Sequence, residues 1–169
     1  MDWLNILMKA SAKIKKVVHP LEPIYDEQSK VLILGSFPSV ISRKDKMYYA
    51  NKTNRFWSVM GALFEEEITD HVSFCHKHHL AMWDVIHSCT IEGSSDSSIK
   101  NVIPNDIAGL VQKTHIELIV TTGKKAAALY EQYIHLDLPH ISLPSTSAAN
   151  AKMRLDELVY EYRKIKEVL

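Results

Sequence analysis

Apolar positions along the chain fall into short unbroken runs separated by amphipathic stretches. Val31-Leu32-Ile33-Leu34 is the first run, and Gly35-Ser36-Phe37-Pro38-Ser39 breaks it abruptly. Leu80-Ala81-Met82-Trp83 is the second, ended by Asp84; Ile116 to Thr122 is the third; His140-Ile141-Ser142-Leu143 is a short fourth. Runs of four to seven apolar or β-branched residues bounded by Gly, Pro or Asp read as strands buried on both faces. Between them the spacing turns helical: Arg55 to Phe64 with Thr53 or Asn54 at its N-cap, Asp70 to His78, Ile107 to Lys113 behind Pro104-Asn105-Asp106, and the alanine-rich Lys124 to Tyr133. Asn150 to Leu169, apolar at 155, 158, 159, 162 and 165, predicts a long C-terminal helix. Residues 87 to 104 read as a polar loop.

Strands alternating with helices predict βαβ units with right-handed crossovers. The expected fold is a three-layer α/β/α domain around a central, mostly parallel four-stranded sheet, spanning residues 20–169. The polar loops after strands one, two and four then converge on one sheet edge, where such folds bind ligands. Residues 1–19 are expected as an amphipathic extension, with Trp3, Leu4, Ile6, Leu7, Ala10, Ile14 and Val17 at helical spacing. It could pack on the domain, meet a partner or membrane surface, or fray. Pro20 and Pro23 extend the connector that follows.

Composition narrows the chemistry. The 169 residues carry 20 Lys+Arg against 20 Asp+Glu, so formal net charge is zero. That balance argues against binding nucleic acid mainly through phosphates, while leaving room for a local site of backbone amides and helix N-termini. Cys75 and Cys89 are the only cysteines and form no CxxC pair. With no signal-peptide order at the start and no run of ~18–20 apolar residues, a reduced, cytoplasmic setting without membrane contact is expected.

Familiar motifs fail one by one. GSFPS is followed by no Gly-Lys-Ser/Thr and is not GxGxxG or GxSxG. Cys75-His76-Lys77-His78-His79 lacks a second ligand pair at finger spacing and reads as a solvated helix end, so no metal is expected. What remains is Tyr48-Tyr49 with Asn51, Asn54 and Phe56-Trp57. Aromatic faces beside carboxamides suit a flat polar ligand such as a nucleobase.

Five segments, in order, carry a resemblance: PIYDEQSKVLILGSFPS, YYANKTNRFW, MWDVIHSC, GSSDSSI and LPSTSAANA. Together they resemble the uracil-DNA glycosylase superfamily, in its deoxyinosine (hypoxanthine-DNA) glycosylase branch. The resemblance implies an α/β/α fold and a monofunctional DNA repair glycosylase. It would hydrolyse the N-glycosidic bond of a deaminated base flipped out of double-stranded DNA, leaving an abasic site. It implies no cofactor and no covalent intermediate, and we expect a monomer.

Roles carried by the resemblance follow its motifs. Gly35 to Ser39 is similar to the water and base loop, where many relatives hold Asp, Glu or Asn; here Ser36 is the remaining polar candidate beside Phe37 and Ser39. Asn54 resembles the functional asparagine of the hypoxanthine branch, able to orient water, with Asn51 as the alternative carrier. An N-cap role for Asn54 stands beside that. Tyr49 resembles the aromatic under the flipped base or is simply core, and Gly35 and Phe37 complete the base site. Asp84 could accept N1–H of hypoxanthine or cap its loop. Pro144, Ser145, Thr146, Ser147 and Asn150 resemble the DNA-entering motif, and Ser147 to Asn150 also read as an N-cap run that could meet phosphate. Leu143 stands where usual relatives have His, so weak or absent activity on uracil is expected. Asp96 is expected to order its loop. The alternatives are a uracil or thymine-mismatch glycosylase of the same fold, or a non-catalytic nucleic-acid-binding module.

Overall fold

The computed structural model describes Trp3 and residues 14–169. Strand β2 (Val31–Gly35) lies inside a fully parallel sheet with β3 (Leu80–Asp84) on one side and β6 (Leu118–Thr122) then β7 (His140–Leu143) on the other. All five residues of β2 are buried. A central parallel strand is covered on both faces, which is why these runs are continuous rather than alternating. Val31 and Ile33 face one core, with Leu32 and Leu34 facing the other. The first core packs helices α2 (Phe56–Phe64), α3 (His71–Lys77) and α6 (Leu155–Tyr162) through Phe56, Val59, Met60, Phe74, Leu158 and Tyr162. The second packs α4 (Ile107–Gln112) and α5 (Lys124–Tyr133) through Ile107, Leu110, Leu129 and Tyr130. The three-layer α/β/α expectation therefore describes the structure.

Three local expectations give way to tertiary context, and one short helix was not expected. The stretch 87–104 forms a hairpin, β4 (Ile86–Glu92) and β5 (Lys100–Pro104), instead of a loop. Ser88, Cys89 and Ile91 turn inward, but small polar residues hide that pattern in the sequence. The end of the expected N-terminal helix is strand β1 (Ile14–Val18), antiparallel to β4, and apart from the exposed Trp3 the rest of that expectation lies outside the described residues. A short helix, α1 (Val40–Asp45), follows the first loop, capped by Ser39 Oγ accepting from Ser42 N–H. The C-terminal helix begins only at Leu155 and passes into a 3₁₀ turn at Arg163–Ile165. Residues 144–154 stay irregular because the Arg55 guanidinium takes the carbonyls of Ser147, Asn150 and Met153.

Strand order β3-β2-β6-β7 reverses direction between β2 and β6. A crevice opens at such a switch point, beyond the carboxyl ends of the strands. The chain then leaves β3 for the hairpin through Asp84-Val85-Ile86. Buried Asn105 holds that bend, donating from Nδ2 to the carbonyls of Asp84 (2.9 Å) and Ile86 (3.1 Å).

Truncating Ile33, 1% exposed in this double core, to Ala is expected to lower unfolding free energy by about 2–5 kcal/mol. Val18→Ala on exposed β1 should change it by less than about 0.5 kcal/mol. Urea unfolding of both variants checks the contrast.

Candidate active site

A cavity of about 230 Å³ opens at the switch point. Its floor is the turn after β2: Gly35, Ser36 and Phe37. Tyr49, Asn51 and Asn54 form one wall, Asp84 closes the inner end, and Ser145, Thr146 and Ser147 form a rim beside Asn54. The expected catalytic and base-site residues therefore lie together. Pro144 and Asn150 do not; they line an adjoining groove with Gly123, Lys124, Lys125 and Ser145.

Asp84 is buried at the carboxyl end of β3. His19 Nε2 lies 2.7 Å from its Oδ2, with the two side chains 2% and 7% exposed. The other oxygen is aimed at the backbone of β2: a Cβ placed on Gly35 would meet Asp84 Oδ1 at 2.5 Å. Glycine is thus required at 35 for close approach rather than for a special backbone angle. The partner explains how a carboxylate stays in this interior, where an unpaired one is strongly disfavoured. The contact gives the Asp84 side chain a specific hydrogen-bond partner.

Tyr49 sits in the left-handed region, φ 53°. Phe56, fully buried, stacks on it at 4.0 Å between centroids and 13° between planes. One face of Tyr49 is thereby occupied, so a ligand in the cavity that Tyr49 lines could meet only its other face or its edge. Its hydroxyl is 2.9 Å from Thr122 Oγ1. Burial, reinforced by the Asp84 charge, pushes the phenol far above its usual pKa, as it does for Tyr48. Both hydroxyls stay protonated. Tyr48 OH donates to the Glu22 carbonyl, and Trp57 Nε1–H donates to the Tyr48 carbonyl, fixing the turn that presents Tyr49.

Asn54 is oriented by chemistry rather than by assumption. Its Oδ1 accepts from Phe56 N–H at 2.9 Å and from Thr146 Oγ1 at 2.8 Å. The backbone N–H can only donate, so the oxygen must face it. Both lone pairs are used, and the amide Nδ2 is the pole left for a ligand or water. The N-cap of α2 is Arg55 rather than the expected Thr53 or Asn54; Asn54, one residue earlier, ties the first N–H of the helix and lines the cavity at once. Asn51 turns its own oxygen back to Thr53 N–H and Oγ1.

The rim loop is tied to the same turn. Arg55 N–H donates to the Thr146 carbonyl at 3.0 Å, and its guanidinium donates to Ser147 (3.2 Å), Asn150 (3.0 Å) and Met153 carbonyls. Asn150 Nδ2–H donates to the Ser145 carbonyl, and Tyr162 OH to that of Pro144. Ser147 to Asn150 therefore cap no helix, contrary to expectation, and any phosphate there would meet a braced loop.

Three participants were not among the expected site residues. Asp96, read as a loop residue, lines both cavity and groove and accepts from Ser36 Oγ at 3.2 Å. Its place in GSSDSSI was a usable signal. Arg55, inside the Asn-Arg-Phe-Trp element, and His19, far upstream, gave none, because each acts on chain 92 or 65 residues away. Farther off, Cys75 is buried with its thiol pushed up to about 12 by desolvation. His76 pairs with Asp26 and His78 with Glu66. Among the described residues no helix is long and apolar enough to cross a membrane.

The model of the uracil DNA glycosylase superfamily matches residues 22–165. A hypoxanthine DNA glycosylase from Methanosarcina acetivorans is 33% identical over 136 residues, covering 76% of this chain and 85% of that protein. One from Methanosarcina barkeri is 28% identical over 110 residues, covering 62% and 70%. A solution NMR structure from M. acetivorans, given provisionally as a uracil DNA glycosylase, superposes with a TM-score of 0.73. It is 30% identical and covers 89% of this chain and 99% of its own.

Two outcomes follow from the geometry. Gly35→Ala should displace the Asp84 carboxylate and destabilise the fold by about 1–3 kcal/mol, read by thermal unfolding. Arg55→Met should leave the sheet intact but speed amide hydrogen exchange across residues 146–153 by at least tenfold, read by mass spectrometry.

Proposed function

The chain belongs to the uracil DNA glycosylase superfamily, and from that premise we propose that it excises a deaminated base, foremost hypoxanthine, from DNA by hydrolysis. The observation that carries this reading is a base-sized cavity holding a stacking face and a buried hydrogen-bond acceptor side by side, Tyr49 and Asp84. The names of the Methanosarcina relatives support it.

The target nucleotide must leave the stack, because its anomeric carbon is unreachable within the duplex. Hypoxanthine then lies against the free face of Tyr49. Its N1–H donates to Asp84, and its O6 faces the turn after β2, where the Ser36 and Phe37 amides can donate. Adenine has an acceptor at N1 and would set a lone pair against the carboxylate, so the normal base is rejected. Asn54 Nδ2–H holds the attacking water by donating to its oxygen. Ser36 and Asn51 lie along the same approach.

As the C1′–N9 bond stretches, the sugar gains positive charge. Asp84 at the inner end and Asp96 on the lining bring negative charge to the cavity and favour that cation. Water adds to C1′ as the C1′–N9 bond breaks, and its proton passes through solvent to the departing hypoxanthine, which leaves neutral. Since Asn54 Oδ1 is already spent on Phe56 and Thr146, Asn54 orients water without removing its proton. Lys124 and Lys125 in the adjoining groove, with Pro144, Ser145, Thr146, Ser147 and Asn150 at the rim and along the groove, suit the phosphates flanking the lesion. Charge is thus partitioned: negative where a cation forms, positive where the backbone runs.

Duplexes carrying a single deoxyinosine, deoxyuridine or deoxyxanthosine, followed by alkaline cleavage at abasic sites, test the proposal. Deoxyinosine should be cut fastest, deoxyuridine weakly, and Asn54→Ala should lower the deoxyinosine rate by roughly 10²–10³-fold. Tyr49→Ala should weaken capture of the flipped base by about 1–3 kcal/mol. Absence of strand breaks above the Asn54→Ala background for every base would refute the proposal.

A further inference from the structure

Strand β1 ends by delivering one side chain into the site. His19 follows Val18, its backbone N–H donates to the His87 carbonyl at 2.7 Å, and its ring enters behind Asp84. Phe37 meets the imidazole edge-on, with centroids 5.8 Å apart and planes at 80°, and the Tyr48 ring lies 6.2 Å away. Nδ1 is engaged by the backbone of Leu21, within 3.0 Å of its carbonyl oxygen and 3.3 Å of its N–H. Nε2 is left to Asp84 Oδ2 at 2.7 Å. A carboxylate only accepts, so Nε2 carries the proton in that bond. The imidazole is therefore gripped at both nitrogens and by two aromatic rings. Its far end fixes one carboxylate oxygen, and the other is directed at the Gly35 approach.

We propose that His19 is the positioning residue that sets the base-reading carboxylate of Asp84, and with it the preference for bases bearing N1–H. The proposal rests on the reading of Asp84 as the acceptor for the base. His19 and β1 lie upstream of residues 22–165, the segment the family model matches. His19 thus reaches from β1 to a residue inside the matched segment. Without the imidazole, the Asp84 carboxylate would be free to rotate or to recruit water, and an oriented partner commonly tunes a site by roughly 10–100-fold.

The test compares single-turnover rates on duplexes containing deoxyinosine or N1-methyldeoxyinosine, which lacks the N1–H. The proteins are wild type, His19→Gln, His19→Asn, Asp84→Asn and the double variant His19→Asn/Asp84→Asn, with thermal unfolding monitored for each. Gln can present an N–H near the Nε2 position and Asn is too short. We expect wild type and His19→Gln to prefer deoxyinosine, and His19→Asn and Asp84→Asn each to lose that preference roughly 10–100-fold. The double variant should be no worse than Asp84→Asn alone. Loss of preference in Asp84→Asn with full preference in His19→Asn would overturn the role of His19 and leave that of Asp84 standing. Equal behaviour of Gln and Asn at 19, or equal loss on both duplexes, would reduce His19 to packing. Full preference in Asp84→Asn would remove both readings.

Discussion

An irregular loop can border an active site only if its backbone carbonyls find donors. The segment from Pro144 to Arg154 has no helix or strand of its own, and its oxygens are taken by one arginine, one asparagine and one tyrosine. Arg55 is the principal of these. Its backbone and guanidinium together hold Thr146, Ser147, Asn150 and Met153, while the neighbouring Asn54 takes the Thr146 hydroxyl. Two adjacent residues at the start of α2 therefore join the wall that meets the base to the rim that meets the DNA. Any displacement of one is felt by the other, because the bonds are multiple and partly desolvated.

Opposite this clamp stands the Asp84 end of the cavity, built by different means. Parallel strands bring Gly35 and Asp84 side by side in register. A missing Cβ gives the carboxylate its space, Asn105 holds the bend after it, and a histidine from outside the sheet satisfies it. Between the clamp and this carboxylate, Tyr49 is wedged against Phe56. The cavity is thus preformed by the fold, so the base meets oriented groups instead of ordering them on arrival.

How much of this was legible depended on where the partners lie. The four parallel strands were readable because strands covered on both faces become unbroken apolar runs. Their shared edge, and so the gathering of Ser36, Tyr49, Asn54, Asp84 and Ser145, followed from the alternation of strands and helices. The β4–β5 hairpin was not readable, since Ser88, Cys89 and Thr90 carry its alternation without large apolar side chains. Nor was the late start of the C-terminal helix: the helical spacing begins only at Leu155, and Arg55 holds the carbonyls of Asn150 and Met153 before it. β1 was mistaken for the end of a helix because its lysines and valines fit either period over so few residues. His19 and Arg55 have no local signature at all, being defined by chain 65 and 92 residues distant.

The central claim is that a flipped hypoxanthine occupies the cavity between Tyr49 and Asp84. The most direct measurement is an NMR titration of labelled protein with a duplex carrying 2′-fluoro-deoxyinosine, whose glycosidic bond resists cleavage, against the same duplex carrying deoxyadenosine. The account predicts that the amides of Ser36 and Phe37 and the ring signals of Tyr49 shift with the inosine duplex only, while Ser145 and Ser147 shift with both. Shifts in the rim alone with both duplexes, and an unchanged cavity, would contradict it.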